Sequence, residues 1–175
     1  MKTSRILFNA FLGMVAAGMA SAAAAGAATA GPRADVTFVQ PEKFSDVRDA
    51  YTTSDVGRNG ILDQIRDFVI SRANYYLPEG QKLSIAFTDI DLAGDFEPWR
   101  GGLNMDVRIV KDIYPPKMDF DFKVTDADGK VIKEGKRKLR DLVFMSKVTL
   151  NTNDALHFDK ALLEDWFHNE FPRGK

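Results

Sequence analysis

The chain has no cysteine, only two histidines, and no apolar run after its first thirty residues long enough to cross a bilayer. The missing cysteine excludes disulfides, thiolate nucleophiles and cysteine-ligated metals, and it removes the lipidated residue that anchors a bacterial lipoprotein. Small exported domains often depend on cross-links, so this one must be held by its core alone. The scarcity of histidine leaves His157 and His168 as the near-neutral bases. His168 stands on a helical pattern beside Trp166 and Phe167, and His157 precedes that helix. No GxSxG elbow, HExxH pair, Walker loop or GxGxxG stretch is present. A positive surplus is missing too: the formal net charge is −1, which argues against a general nucleic-acid binder.

The first thirty residues read as an export signal. Lys2 and Arg5 give a positive start, Ile6 to Ala20 is apolar apart from Asn9, and SAAAAGAATAG supplies small residues. The run is shorter than the ~20 residues a spanning helix needs. Cleavage after Ala22 or Ala30 fits the small-x-small rule, and Ala30 is favoured because the Ala/Gly tract before it has no side chains to build a core. Residues 31–175 then form a single domain, expected in the periplasm with no lipid anchor and no transmembrane segment. Loss of Lys2 and Arg5 takes the formal charge from −1 to about −3.

Periodicity changes along the domain. Asp35 to Gln40 alternates as a short strand stopped by Pro41. A polar loop follows. Ile61, Leu62, Ile65, Phe68, Val69, Ala73, Tyr76 and Leu77 fall at helical spacing, closed by Pro78-Glu79-Gly80. Lys82 to Leu92 is a strand whose phase breaks. Leu83, Ile85 and Phe87 share a parity with Asp89 and Asp91, whereas Ile90 and Leu92 lie on the other, so either a bulge falls near Thr88 or carboxylates reach the rim of the core. Asn104 to Val110 reads as a further strand, broken by Tyr114-Pro115-Pro116. Met118, Phe120, Phe122 and Val124 alternate with polar residues up to DADG, a hairpin signal, and Val131 to Leu142 returns. Phe144 to Asn153 fits no single period. Phe158 to Phe171 is a second amphipathic helix. The order β-α-β-β-β-β-α gives an α+β two-layer sandwich, two helices on one face of a mostly antiparallel sheet of four to five strands, with a parallel crossover at its start.

TDIDLAGDFEPWRGG gathers Asp89, Asp91, Asp95 and Glu97, the oxygen donors a hard cation needs. As an EF-hand loop it fails, because Ala93 occupies the fifth place and Arg100 the twelfth, and DADG fails the same test. Solvated or paired acids at a strand end are the competing account, and neither metal nor cofactor is assigned. VIKEGKRKLR reads either as a patch for an anionic partner or as half of a charge-matched ladder. A two-residue Asp128-Gly129 turn sets Lys123 opposite Glu134, Asp121 opposite Lys136 and Asp119 opposite Lys138; a three-residue loop with Gly129 in a bulge sets Lys123 opposite Lys133. Trp99 and Arg100 lie in a Gly-flanked loop, where Trp99 either anchors the loop on the sheet or stands exposed as a binding contact.

Six stretches, VTFVQPEKFSDVR, LPEGQKL, DIDLAGDFEPWRGG, DVRIVKDIYPP, TDADGKVIKEGKRKLRDL and LLEDWFHNEF, resemble the exported Gram-negative family catalogued as domain of unknown function 3016. The resemblance implies export and one domain; that family has no established activity, so no residue inherits a role. A looser analogy joins the expected fold to periplasmic lipoproteins that assist outer-membrane assembly. The residues themselves point to a binding or interaction module for a periplasmic protein or small ligand. Its surface would be Asp89, Asp91, Asp95, Glu97, Trp99 and Arg100 with Arg108, Lys111 and Tyr114 from the neighbouring strand end. The rival is a metal-assisted hydrolase using Asp89, Asp91 and Glu97 as ligands or base. A third reading pairs Asp89 with Arg108 as scaffold.

Overall fold

In the computed structural model the described residues are 31–48, 55–97, 99, 107–147 and 153–172. The expected signal segment therefore lies outside them, as do Arg100 and Asn104 to Asp106. The elements run β1 (Ala34–Phe38), α1 (Asp55–Tyr76), β2 (Lys82–Asp91), β3 (Asp95–Phe96), β4 (Arg108–Ile109), β5 (Lys117–Thr125), β6 (Val131–Arg140) and α2 (His157–Glu170). Short 3-10 turns at Pro41–Lys43 and Phe144–Ser146 punctuate the connections, the second within the stretch that fitted no period.

A four-stranded sheet forms in the order β1-β2-β5-β6. β1 runs parallel to β2 across the α1 crossover, and the other pairings are antiparallel. The described residues of the expected Asn104–Val110 strand, 107–110, do not join this sheet. Of these, β4 pairs with β3 in a separate two-stranded ribbon. The neighbour of β2 is β5, because Met118, Phe120, Phe122 and Val124 offer a longer continuous apolar face than residues 107–110 do.

Both helices cover one face of the sheet. α1 buries Leu62, Ile65, Val69 and Ala73, and α2 buries Leu162, Leu163, Trp166 and Phe167. Trp166 is the centre of the aromatic packing: its ring lies 4.8 Å from Phe120 and 5.4 Å from Phe122, both edge-to-face, and Phe120 in turn packs 5.3 Å from Phe87. Such pairs add ~0.5–1.5 kcal/mol each beyond their burial. α1 begins at Asp55, six residues before the first apolar residue of the pattern at Ile61. The extra turn carries Gly57 and Gly60, weak helix formers, and is supported by an Asp55–Arg58 ion pair of 2.8 Å.

The phase break in β2 is a bulge. The register with β5 slips between Phe87 and Asp89, so Thr88 is the extra residue and Ile90 is fully buried beside Phe87. The hairpin joins features of both expected geometries. Gly129 has φ +80°, and the Asp126 N–H donates to Lys130 O at 2.9 Å across a three-residue loop. A second slip at Ile132 then cancels the offset, so Lys123 faces Glu134, Asp121 faces Lys136 and Asp119 faces Lys138. The last two pairs close at 3.0 and 2.7 Å.

Two glycines with the same left-handed backbone test how packing adds to strain. A methyl group at Gly129 would meet nothing within 4 Å, whereas one at Gly94 (φ +83°) would stand 2.8 Å from the Ile109 carbonyl oxygen in β4. Gly129→Ala is expected to cost about 1 kcal/mol from backbone conformation alone, and Gly94→Ala on the order of 3 kcal/mol because the β3–β4 ribbon must also shift. Urea unfolding of the two variants measures the difference.

Candidate functional site

The sheet end at which β2 stops and β5 starts carries most of the residues expected to act. The loop Phe44 to Arg48 is laid alongside it by two backbone bonds: Asp46 N–H donates to Ile90 O at 3.0 Å and Leu92 N–H to Asp46 O at 3.1 Å. Asp89 fastens the same loop, accepting from the Ser45 N–H at 2.7 Å and its Oγ at 2.8 Å. Asp91 pairs with Lys117 at 2.5 Å. The buried carboxylate of Glu97 meets Lys111 Nζ and the Tyr114 hydroxyl, the latter at 3.1 Å. Asp95 caps its own strand through the Phe96 N–H at 2.7 Å. The acidic loop is thus dispersed over separate partners. Among the described residues no three His, Asp or Glu side chains are placed to hold a metal ion.

The expected Asp89–Arg108 pair is replaced by another. Arg108 forms an ion pair with Asp46 at 2.9 Å and donates to Gly94 O at 2.9 Å and to Arg48 O at 3.1 Å. Asp46 rather than Asp89 takes the guanidinium, because the loop strand lies alongside the end of β2, bridging Asp46 to Asp91, and Ser45 already occupies Asp89. The Phe96 ring receives two guanidinium groups, Arg48 at 4.1 Å and Arg108 at 4.7 Å from its centre. Trp99 does not fold back as an anchor: it is 71 % exposed.

Between these elements lies a cleft of about 640 Å³, lined among others by Phe44, Arg48, Asp91, Asp95, Ile113 and Tyr114. Arg48 has no carboxylate within 4 Å among the described residues, and Ile113 is 65 % exposed. Both histidines belong elsewhere: His157 Nδ1 lies 2.6 Å from Asp154 O, and His168 is exposed on α2.

One acid was not singled out by the sequence. Asp159, in the first turn of α2, is 1 % exposed and its Oδ1 accepts the Ala93 N–H at 3.0 Å. Burial lifts its carboxyl from 3.8 to about 7, against the opposing pull of the Ala93 N–H and the Arg108 charge. An acid at that place in a helix reads as an ordinary favourable charge near the positive end, and nothing local in the sequence marks it as buried.

The fold and cleft define a small two-layer α+β domain with a mixed-charge cleft at one end of its sheet. The chain belongs to the family described as protein of unknown function DUF3016, whose model matches residues 32–169. No curated protein and no solved structure matches it.

The geometry separates buried from exposed ion pairs. Lys111→Ala removes a cation from the buried Glu97 carboxylate, which keeps the Tyr114 hydroxyl, and is expected to cost about 1–3 kcal/mol, whereas Lys136→Ala, in the exposed ladder, should cost under about 1 kcal/mol; thermal or urea unfolding reads both. The sign for Asp159 follows from its raised value. The folded chain holds the proton more tightly than the unfolded one, so this contribution is complete below pH 3.8 and is lost as pH rises through about 7. Asp159→Asn should flatten the melting temperature between those limits and gain on the wild type at the alkaline end.

Proposed function

We propose that the chain is an exported, periplasmic, non-enzymatic binding module whose ligand surface is the Arg48–Ile113 cleft. The observation that carries this reading is the fate of the acidic loop. Asp89, Asp91 and Glu97 are each engaged by a different structural partner, Ser45, Lys117 and Lys111 with Tyr114, so the carboxylates that a hydrolase would use as ligands or base are committed to holding loops. What the cleft offers instead is Arg48, Asp95 held among the described residues by one backbone N–H, and the exposed side chain of Ile113. A guanidinium, a carboxylate and an apolar contact suit a polypeptide segment carrying both charge signs better than a strongly anionic ligand. Trp99, exposed on the β3–β4 connection, supplies the kind of aromatic contact on which interfaces depend.

A photocrosslinker at position 113 in the periplasm should capture a partner that one at Ser71, exposed on α1, does not, and Arg48→Glu should abolish the capture. Equal capture from both positions, or capture untouched by Arg48→Glu, would remove the cleft from the binding reading. Calcium, magnesium, manganese and zinc should leave the melting temperature unchanged. A rise of several degrees with any of them that disappears in Asp91→Ala would restore the metal-hydrolase reading.

A further inference from the structure

We infer that Asp159 is a proton-operated latch on the wall of the cleft, fixing or releasing the Leu92–Gly94 turn according to whether its carboxyl is neutral or ionised. The inference rests on the reading of that cleft as the binding surface and names a regulation of it. Leu92 and Gly94 line the cleft, while Leu92, Ala93 and Asp159 line a second cavity of about 500 Å³ behind the turn. The turn is therefore a partition between two spaces. It is tied to α2 through the Ala93 N–H and Asp159 Oδ1 bond.

The groups around Asp159 determine what a proton does there. From β4, the Arg108 charge favours the ionised form, but its guanidinium is committed to Asp46, Gly94 O and Arg48 O. Arg48, from the loop after β1, lies at the same cavity and over the Phe96 ring. Before and along α2, Asp154 is paired with Lys160 at 2.6 Å and adds a repulsive charge, with His157 held on the Asp154 carbonyl. From α1 the cavity receives Gln64, which is uncharged, and the apolar Val56 and Ile61. A neutral carboxyl is tolerated in these surroundings. Among the described residues the carboxylate has no ion-pair partner of its own; ionisation strengthens the Ala93 N–H bond, but the loss of hydration on burial is the larger effect, so the charged form favours water entering the cavity and the turn loosening from α2. The carboxyl value near 7 places this change within the range of ordinary media.

Amide spectra of the protein recorded from about pH 5.5 to about pH 8.5 test the latch without any ligand. Leu92, Ala93 and Gly94 amides should shift along one curve centred near 7. Protection of the Ala93 amide from hydrogen exchange, corrected for intrinsic rate, should fall about tenfold or more across it. In Asp159→Asn, which keeps an acceptor for the Ala93 N–H, both changes should vanish. Flat wild-type curves overturn the inference, and so does a transition that persists in Asp159→Asn, which would belong to another group. Should Asp159→Asn not fold, the carboxyl carbon shift of Asp159 in the wild type decides: a midpoint under about 5 sinks the latch. Because no ligand enters, a failed latch leaves the crosslinking result standing, and a failed crosslink leaves the latch standing.

Discussion

Thr88 is one residue more than the β2–β5 pairing requires, and the change of phase it brings governs everything at that end of the sheet. Before it, Leu83, Ile85 and Phe87 face the helices; after it, Ile90 takes the inward place that an unbroken alternation would give to Asp89 and Asp91. Without the slip two carboxylates would enter an apolar layer, at a cost no helix packing could offset. With it, both acids reach the region where the loop after β1 and the start of β5 meet them. Asp89 holds Ser45 and Asp91 holds Lys117, so the bulge supplies the fastenings of the cleft.

Around those fastenings the charges act through a few shared hubs. Arg108 binds two pieces of chain at once, the loop after β1 through the Asp46 side chain and the Arg48 carbonyl and the turn through the Gly94 carbonyl, and lies on one aromatic ring with Arg48. Its fixed, planar set of donors makes this possible in a way a lysine could not reproduce. The opposite margin follows the same logic. Arg137 stacks on Phe122 at 4.9 Å and donates to both Glu170 oxygens at 2.9 and 3.0 Å, closing the core where β6 offers Gly135 in place of a large side chain.

The layers, the parallel crossover and the inward residues of β2 and β5 were legible because alternation and helical spacing report burial directly. So was the charge-matched ladder, although the loop reached that register through two compensating slips rather than one tight turn. Three features were hidden for physical reasons. The first turn of α1 has no apolar stripe, so nothing in its pattern distinguishes it from the polar loop before it. The ribbon of β3 and β4 is two residues on each side and is fixed by the Gly94 turn and Arg108, which are tertiary contacts. Asp159 is buried by the turn at Ala93, sixty-six positions earlier in the chain. The acids of the Asp89–Glu97 stretch lie together at one end of the sheet, but their partners Ser45, Lys117 and Lys111 are joined to them by no spacing rule.

The ladder on β6 has a consequence for the sheet as a whole. β6 is an outer strand, and its outward row of Lys136 and Lys138 is held in place by Asp121 and Asp119 rather than left to fold away. Any further strand approaching that margin would have to strip water from ordered ammonium groups before reaching the backbone. The other margin, β1, is only five residues long and is turned aside by Gln40, in the left-handed region, and Pro41. Both borders of the folded sheet thus carry features that discourage the pairing of another chain, in a domain with no covalent cross-link.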